Sequence, residues 1–306
     1  MITNILQTKA WEKFLNDEGD QTFRLEDKGY VAMCVLKSTP VGNYLFLPYG
    51  PSLESEKDLK PALNAIKKLA AEKGAIFIRI EPTIELSEKT IKANELVKSK
   101  DLDPRSTVIL DLTQSEEDIL KNMEKKKRKV YRNYKEKGIT IRQSSDPKEV
   151  KILLDFYSTL TKKRGFNPHS NEYLAKQINY DFTKLYIAEL EGKPIGAAMI
   201  YDDDHARYYA YAADSEEHKS LSTSVAIVTQ MIFDAKADGK KVFDFWGATT
   251  SNDPNDPWYG FTQYKLSYGG QIKTYAGTYD IILNKGKYKL YTALRKVNRL
   301  KRKILK

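Results

Sequence analysis

Val242-Phe243-Asp244-Phe245-Trp246-Gly247 runs through a polar loop (Asp253-Pro254-Asn255-Asp256-Pro257) into Tyr259-Gly260-Phe261-Thr262-Gln263-Tyr264-Lys265. The first five residues read as a half-buried strand that breaks at Gly247. Beyond the loop, one cation stands among aromatic residues. A rigid strand end, a loop and an isolated lysine are a common way to build a site on a scaffold. The same residues also describe an ordinary strand–loop–strand with a snorkelling lysine.

Upstream, residues 235–247 (AKADGKKVFDFWG) echo residues 70–82 (AAEKGAIFIRIEP): helix end, glycine, strand, and an acid within or just after the strand. Each copy follows a run of strands and a helix. Before the first copy, strands are expected over 22–25, 30–36 and 44–48, with a helix over 59–73. Before the second they are expected over 185–190, 195–201 and 206–213, with a helix over 223–237. A duplicated α/β unit is the economical explanation. The expected fold class is therefore α/β (α+β): two tandem domains of mixed sheets flanked by helices. The boundaries expected are 1–112 and 113–284, with a helix at 285–306 beyond them. Between the copies, a helix is expected over 87–99. Ser115 and Asp118 resemble a capping box opening one helix that reaches Gly138, with Ile119, Met123, Val130 and Tyr134 on a single stripe. A single strand is expected over 271–283.

The composition, 41% hydrophobic and 30% charged over 306 residues, is that of a globular protein rather than a disordered or membrane-spanning one. One cysteine, Cys34, and three histidines exclude a disulfide framework and argue against a structural metal. With no signal pattern at the N-terminus, a cytoplasmic location is expected. The net charge of +10 is concentrated: residues 121–142 carry ten Lys/Arg against two Glu, and residues 285–306 carry ten and no acid, leaving net −8 on the rest. Such patches imply a polyanionic partner: nucleic acid, a phosphorylated substrate or an anionic membrane face. In the C-terminal helix, Leu290, Leu294, Val297, Leu300 and Ile304 recur at helical spacing, enough for one buried stripe with the cations outward.

Several motifs, in order, carry a family resemblance. They are Tyr49-Gly50-Pro51, Arg79-Ile80-Glu81-Pro82, Pro104-Arg105-Ser106-Thr107 with Asp111-Leu112, residues 127–139, Arg164-Gly165-Phe166, residues 206–213, Asp244-Phe245-Trp246-Gly247 and Tyr264-Lys265. Together they resemble the FemABX family, peptidoglycan-bridge aminoacyltransferases that take their donor from aminoacyl-tRNA. The resemblance covers nearly the whole chain and implies two GNAT-like acyltransferase domains, here without the coiled-coil arm of some members, with the C-terminal helix 285–306 returning to dock on the first domain and complete it. No cofactor is implied. Where an acetyl-CoA enzyme needs a glycine-rich phosphate loop, this chain has His218-Lys219-Ser220-Leu221-Ser222-Thr223-Ser224, with no glycine.

The resemblance assigns Lys265 and Tyr264 to the catalytic centre, with Glu81 a candidate to accept the amine proton. Bland roles stand beside these, Glu81 as a strand-end acid paired with Arg79 among them. Tyr211, Tyr173, His169 and Arg207 are the expected substrate contacts, with Arg207 read equally as a solvated strand residue. Lys126, Arg128 and Arg132 are the expected tRNA contacts. The implied partners are aminoacyl-tRNA and a peptidoglycan precursor, lipid II or UDP-MurNAc-pentapeptide, with peripheral contact to the inner face of the cytoplasmic membrane. Two rival readings stay open: an N-acyltransferase acting on another amine, and a basic RNA- or membrane-binding protein with a degenerate site.

Overall fold

The computed structural model describes residues 3–164 and 169–304. Gly165 and Phe166 of the family resemblance lie outside the described residues, as do the side chains of Leu300 and Ile304. The chain divides into two compact units, one made of residues 1–105 and 274–306, the other of residues 106–273.

In the first unit, helix α1 (Lys9–Asp17) leads into strands β1 (Gln21–Asp27), β2 (Tyr30–Thr39), β3 (Gly42–Leu47) and the short β4 (Ser52–Leu53). Helix α2 (Leu59–Glu72) then crosses over to β5 (Ala75–Ile80), which lies parallel to β3. The crossover helix buries Leu59, Ala62, Leu63, Ile66 and Leu69, positions three and four apart that form one apolar face. All six residues of β5 are buried, as expected of a strand in mid-sheet. Helix α3 (Glu88–Ala93) and strand β6 (Val97–Lys98) follow.

The second unit opens with β7 (Ser106–Asp111), helices α4 (Glu116–Asn122) and α5 (Lys125–Asn133), strand β8 (Ile139–Ser144), and helices α6 (Val150–Arg164) and α7 (Asn171–Gln177). The meander β9 (Thr183–Leu190), β10 (Lys193–Asp202), β11 (Ala206–Asp214) is followed by α8 (Thr223–Ala237) and β12 (Val242–Ala248), parallel to β11. Helix α9 (Tyr259–Leu266) and β13 (Gln271–Thr274) finish the unit. Strand β14 (Tyr279–Ile282) and helix α10 (Lys285–Ile304) belong to the first unit. The two sheets run β1-β2-β3-β5-β14-β6, with β4 on β2, and β13-β7-β12-β11-β10-β9-β8. Both have the same plan: an antiparallel meander, a crossover helix, a parallel strand, and an antiparallel strand beyond it. The echo between residues 70–82 and 235–247 falls on the same place in each, the end of the crossover helix and the parallel strand. The tandem architecture of mixed sheets flanked by helices is as expected.

Five expectations need correction. The boundary at 112/113 is too late, because β7 pairs with β12 in the second sheet, Gly247 opposite Thr107. The boundary at 284/285 is too late as well. Residues 271–283 are not one strand but two, β13 on the second sheet and β14 beside β5 on the first. Residues 87–99 hold the short α3 and then β6, which pairs with β14. The helix from Ser115 to Gly138 is broken at Met123, whose ψ of 146° is extended. There Arg128 Nη1 donates to the carbonyls of Leu120, Lys121 and Met123, and the Glu124 N–H to that of Ser267, so the break leaves its polar groups satisfied.

Candidate functional site

The end of β12 carries the main candidate. Its register against β7 shifts between Asp244 and Gly247, and inside that bulge Trp246 has φ +58°, a left-handed conformation costly for a residue with a Cβ. Two side chains hold it there. Asp244, 5% exposed, accepts the Trp246 N–H at 2.7 Å and the hydroxyl of Thr107. Lys265, 9% exposed on α9, donates from Nζ to the carbonyls of Trp246 at 2.8 Å and Gly247 at 2.5 Å. The acid of the strand and the lysine beyond the loop thus grip opposite ends of one residue. Burial pushes the Asp244 carboxyl up to about 6, against the hydrogen bonds from Thr107 and Trp246. Burial also pushes the Lys265 ammonium down to about 8, with the Asp244 charge opposing. Of the three Nζ protons, two meet carbonyls, and no third acceptor is found among the described residues.

Tyr264 is next to Lys265 in sequence but does not face it, since neighbours on a helix diverge. Its phenol accepts the Tyr268 hydroxyl at 2.8 Å, and burial raises it to about 12, so it stays neutral. The cation in the aromatic setting is a different one, Lys127 of α5. Its Nζ stands 3.8 Å from the ring centre of Tyr264 and 4.2 Å from that of Tyr268, with the residue only 7% exposed. Burial lowers it to about 8. The sequence reading missed Lys127, although a signal was present. It sits four residues after Met123 and three before Val130, on the apolar stripe.

On another part of the same sheet lies an aromatic wall. The register between β10 and β11 shifts at Met199/Ile200, so Tyr209 joins the core while Tyr211 packs edge-on against Tyr157 of α6, 5.6 Å between ring centres. The His169 ring stacks on Tyr173 at 4.9 Å and meets Tyr211 edge-on at 6.5 Å. Tyr201 connects Tyr211, at 6.3 Å, to Trp246, at 5.9 Å. Three of the expected substrate contacts (Tyr211, Tyr173 and His169) are therefore brought together, and through Trp246 they reach the Lys265 clamp.

Arg207 does not join them. It is wholly buried, neither solvated nor open to a substrate, with its guanidinium taken by Asp202, Asp238, the Tyr186 hydroxyl and the Met231 carbonyl. Of the expected tRNA contacts, Lys126 and Arg132 are exposed, whereas Arg128 is half-buried and caps α4. At the start of α8, Asp214 accepts the Ser224 N–H at 2.9 Å. The positive end of this crossover helix thus already holds a carboxylate, where a CoA enzyme would receive a pyrophosphate.

Glu81 lies in the first unit, in its own cluster. Its Oε1 accepts the Thr278 hydroxyl at 2.6 Å and the N–H groups of Leu102 and Asp103 at 3.3 and 3.4 Å. Its Oε2 meets no donor among the described residues. The Asp103 carboxyl is pushed well up by burial and by the Glu81 charge, so it keeps its proton beside that side chain. Arg79 is not the partner of Glu81. It makes a buried two-pronged pair with Asp280, both contacts at 2.7 Å.

The FemAB family model matches residues 1–103, 95–193 and 179–296. The chain belongs to the FemAB family. Among curated relatives, a lipid II:glycine glycyltransferase of Staphylococcus epidermidis is 25% identical over 114 residues, which is 37% of this chain and only 27% of that protein. The Staphylococcus aureus protein of the same name is 20% identical across 85% of this chain and 82% of its own length. The crystal structure of FemX superposes with a TM-score of 0.83 at 17% identity, covering 94% of each chain. L-PGS from Bacillus licheniformis shares the fold more loosely, with a TM-score of 0.57 at 13% identity.

Proposed function

We propose that this protein is an aminoacyltransferase of peptidoglycan synthesis. It moves an amino acid from aminoacyl-tRNA to the side-chain amine of a precursor's stem peptide, with the lipid-linked precursor as acceptor. The observation that carries the reading is the Lys265 ammonium, buried at the end of β12 with two protons committed to carbonyls and one left over. Family membership and the names of the curated relatives support the substrate class.

The chemistry asks little beyond placement, because the donor ester is already activated. The acceptor amine attacks the ester carbonyl carbon, and the carbonyl oxygen becomes an oxyanion. Collapse breaks the bond to the ribose oxygen, which leaves with a proton given up by the attacking nitrogen, and an amide remains. Lys265 offers its third N–H and its charge to that oxyanion from a fixed position in a water-poor setting. Tyr211, Tyr173 and His169 form the acceptor wall. The outward cations of α5, Lys126 and Arg132 among them, take the tRNA phosphates. Asp214 at the head of α8 supports this donor over acetyl-CoA, since a carboxylate there repels a pyrophosphate.

The test is transfer of a radiolabelled amino acid from a charged tRNA pool to purified lipid II and, separately, to UDP-MurNAc-pentapeptide. Labelled lipid II is the expected product. Label on the nucleotide-linked precursor alone would move the acceptor to the soluble pool. No label on either would overturn the reading.

A further inference from the structure

Helix α10 packs on its own unit with the wrong face for its sequence. The helical spacing of Leu290, Leu294 and Val297 favours a buried stripe there, and the structure buries tyrosines instead. Tyr291 is 7% exposed and lies 4.8 Å from the Phe77 ring and 5.9 Å from Tyr44, while Tyr288 meets Phe77 edge-on at 5.2 Å. Polar groups lock that choice: the Tyr288 hydroxyl donates to Asp280 at 2.7 Å, and Arg79 reaches the Tyr291 hydroxyl. A leucine at either position could not satisfy this buried ion pair, whereas a tyrosine supplies both ring and hydroxyl. Leu290, Leu294 and Val297 are left 53%, 39% and 48% exposed. At 3.6 residues per turn they form one stripe, about a third of a turn away from the tyrosines.

The stripe has a distinctive setting. Lys287 flanks it on one side, Lys289 and Lys296 on the other, all three exposed. No acid occurs after Asp280. An exposed apolar stripe flanked by cations and by no acid fits a surface that is anionic outside and apolar a few ångströms deeper, which describes an anionic lipid bilayer. A protein groove would be expected to answer the cations with acids at fixed points, and RNA offers no apolar layer for the leucines. No helix among the described residues is long and apolar enough to cross a membrane, so the contact is one of lying on the surface.

We propose that the outer face of α10 is a membrane-docking surface, with Leu290, Leu294 and Val297 entering the boundary between headgroups and acyl chains while Lys287, Lys289 and Lys296 meet anionic headgroups. The inference rests on α10 alone and does not depend on the proposed transferase activity. It is tested by sedimenting the full chain with vesicles of phosphatidylglycerol in phosphatidylcholine and with vesicles of phosphatidylcholine alone. Binding to the anionic vesicles only is expected. Replacing Leu290, Leu294 and Val297 together by Gln should lower partitioning by about tenfold or more. Replacing Lys287, Lys289 and Lys296 together by Gln should lower it by about fivefold per cation and reduce its salt dependence. Both variants leave Tyr288 and Tyr291 in place, so an unchanged melting temperature confirms that the helix still docks; a variant that melts early is replaced by the single change Leu290→Gln, at the most exposed position. Unchanged partitioning of the folded apolar variant would overturn the proposal. So would loss of a dimer in light scattering, or loss of tRNA binding, without loss of vesicle binding.

Discussion

Replacing Lys265 with Met removes a buried charge and two hydrogen bonds at once, and pH separates the two effects. Burial lowers the ammonium from 10.5 to about 8 in the folded chain, a difference of roughly 3 kcal/mol at 1.36 kcal/mol per unit. Below pH 8 both folded and unfolded chains hold the proton, and the folded state bears the full cost of burying it. Between pH 8 and 10.5 the unfolded chain keeps the proton and the folded chain sheds it, so stability rises with pH over that window. Above it the cost is gone. Neutral lysine retains two N–H donors for the Trp246 and Gly247 carbonyls, so the clamp survives deprotonation. Methionine has neither charge nor donor, and leaving two buried carbonyls unpaired costs about 1–3 kcal/mol each. At pH 7 these terms nearly offset, and Lys265→Met should unfold within about 2 kcal/mol of the wild type. By pH 10.5 the wild type should be ahead by roughly 3 kcal/mol more. Urea unfolding of both proteins at several pH values reads the difference directly and cancels the titrating groups that do not interact with Lys265, Asp244 being the one that does. A difference that stays flat from pH 7 to 10.5 would refute the buried ammonium. Transfer assays on the same pair should show turnover lowered about 10²–10³-fold at neutral pH, with little change in acceptor KM. Wild-type turnover should also decline above pH 8, as the ammonium is lost.

Lys127→Met should leave stability unchanged or raise it by about 1 kcal/mol, because an apolar side chain suits that stripe position, and a thermal melt checks this. Lys126→Glu with Arg132→Glu should weaken tRNA binding and flatten its dependence on log salt by about 0.7–0.9 for each phosphate no longer neutralised. Arg128→Glu should instead lower the melting temperature, because it removes charge-assisted bonds worth about 1.5–3 kcal/mol each. Asp280→Ala strands the buried Arg79 charge and should cost about 3–5 kcal/mol in urea unfolding. Tyr211→Leu and Tyr173→Leu should raise acceptor KM in the transfer assay while leaving the folded state intact by circular dichroism.

The sequence by itself determined the duplicated plan. A helix end, glycine and strand written twice, each after a run of strands, is legible in the sequence because apolar periodicity and turn residues act locally. It also marked the strand end at residues 242–246 and Lys265 beyond the loop as one candidate site, and the run of cations from Lys121 to Lys137. What it did not hold was which strands close each sheet. Strands β7 and β14 are short apolar runs that fit either sheet by pattern, and the choice rests on long-range backbone pairing with β12 and β5. Nor could it say which lysine meets the tyrosine rings. Its spacing put Lys127 on the apolar stripe, but only the break at Met123, held by Arg128, fixes the start of α5 and brings that side chain to the Tyr264 and Tyr268 rings. The face on which α10 docks was decided the same way. Periodicity favoured the leucines, but the buried Arg79–Asp280 pair needed hydroxyls, and satisfying buried charge outweighed covering one more apolar stripe.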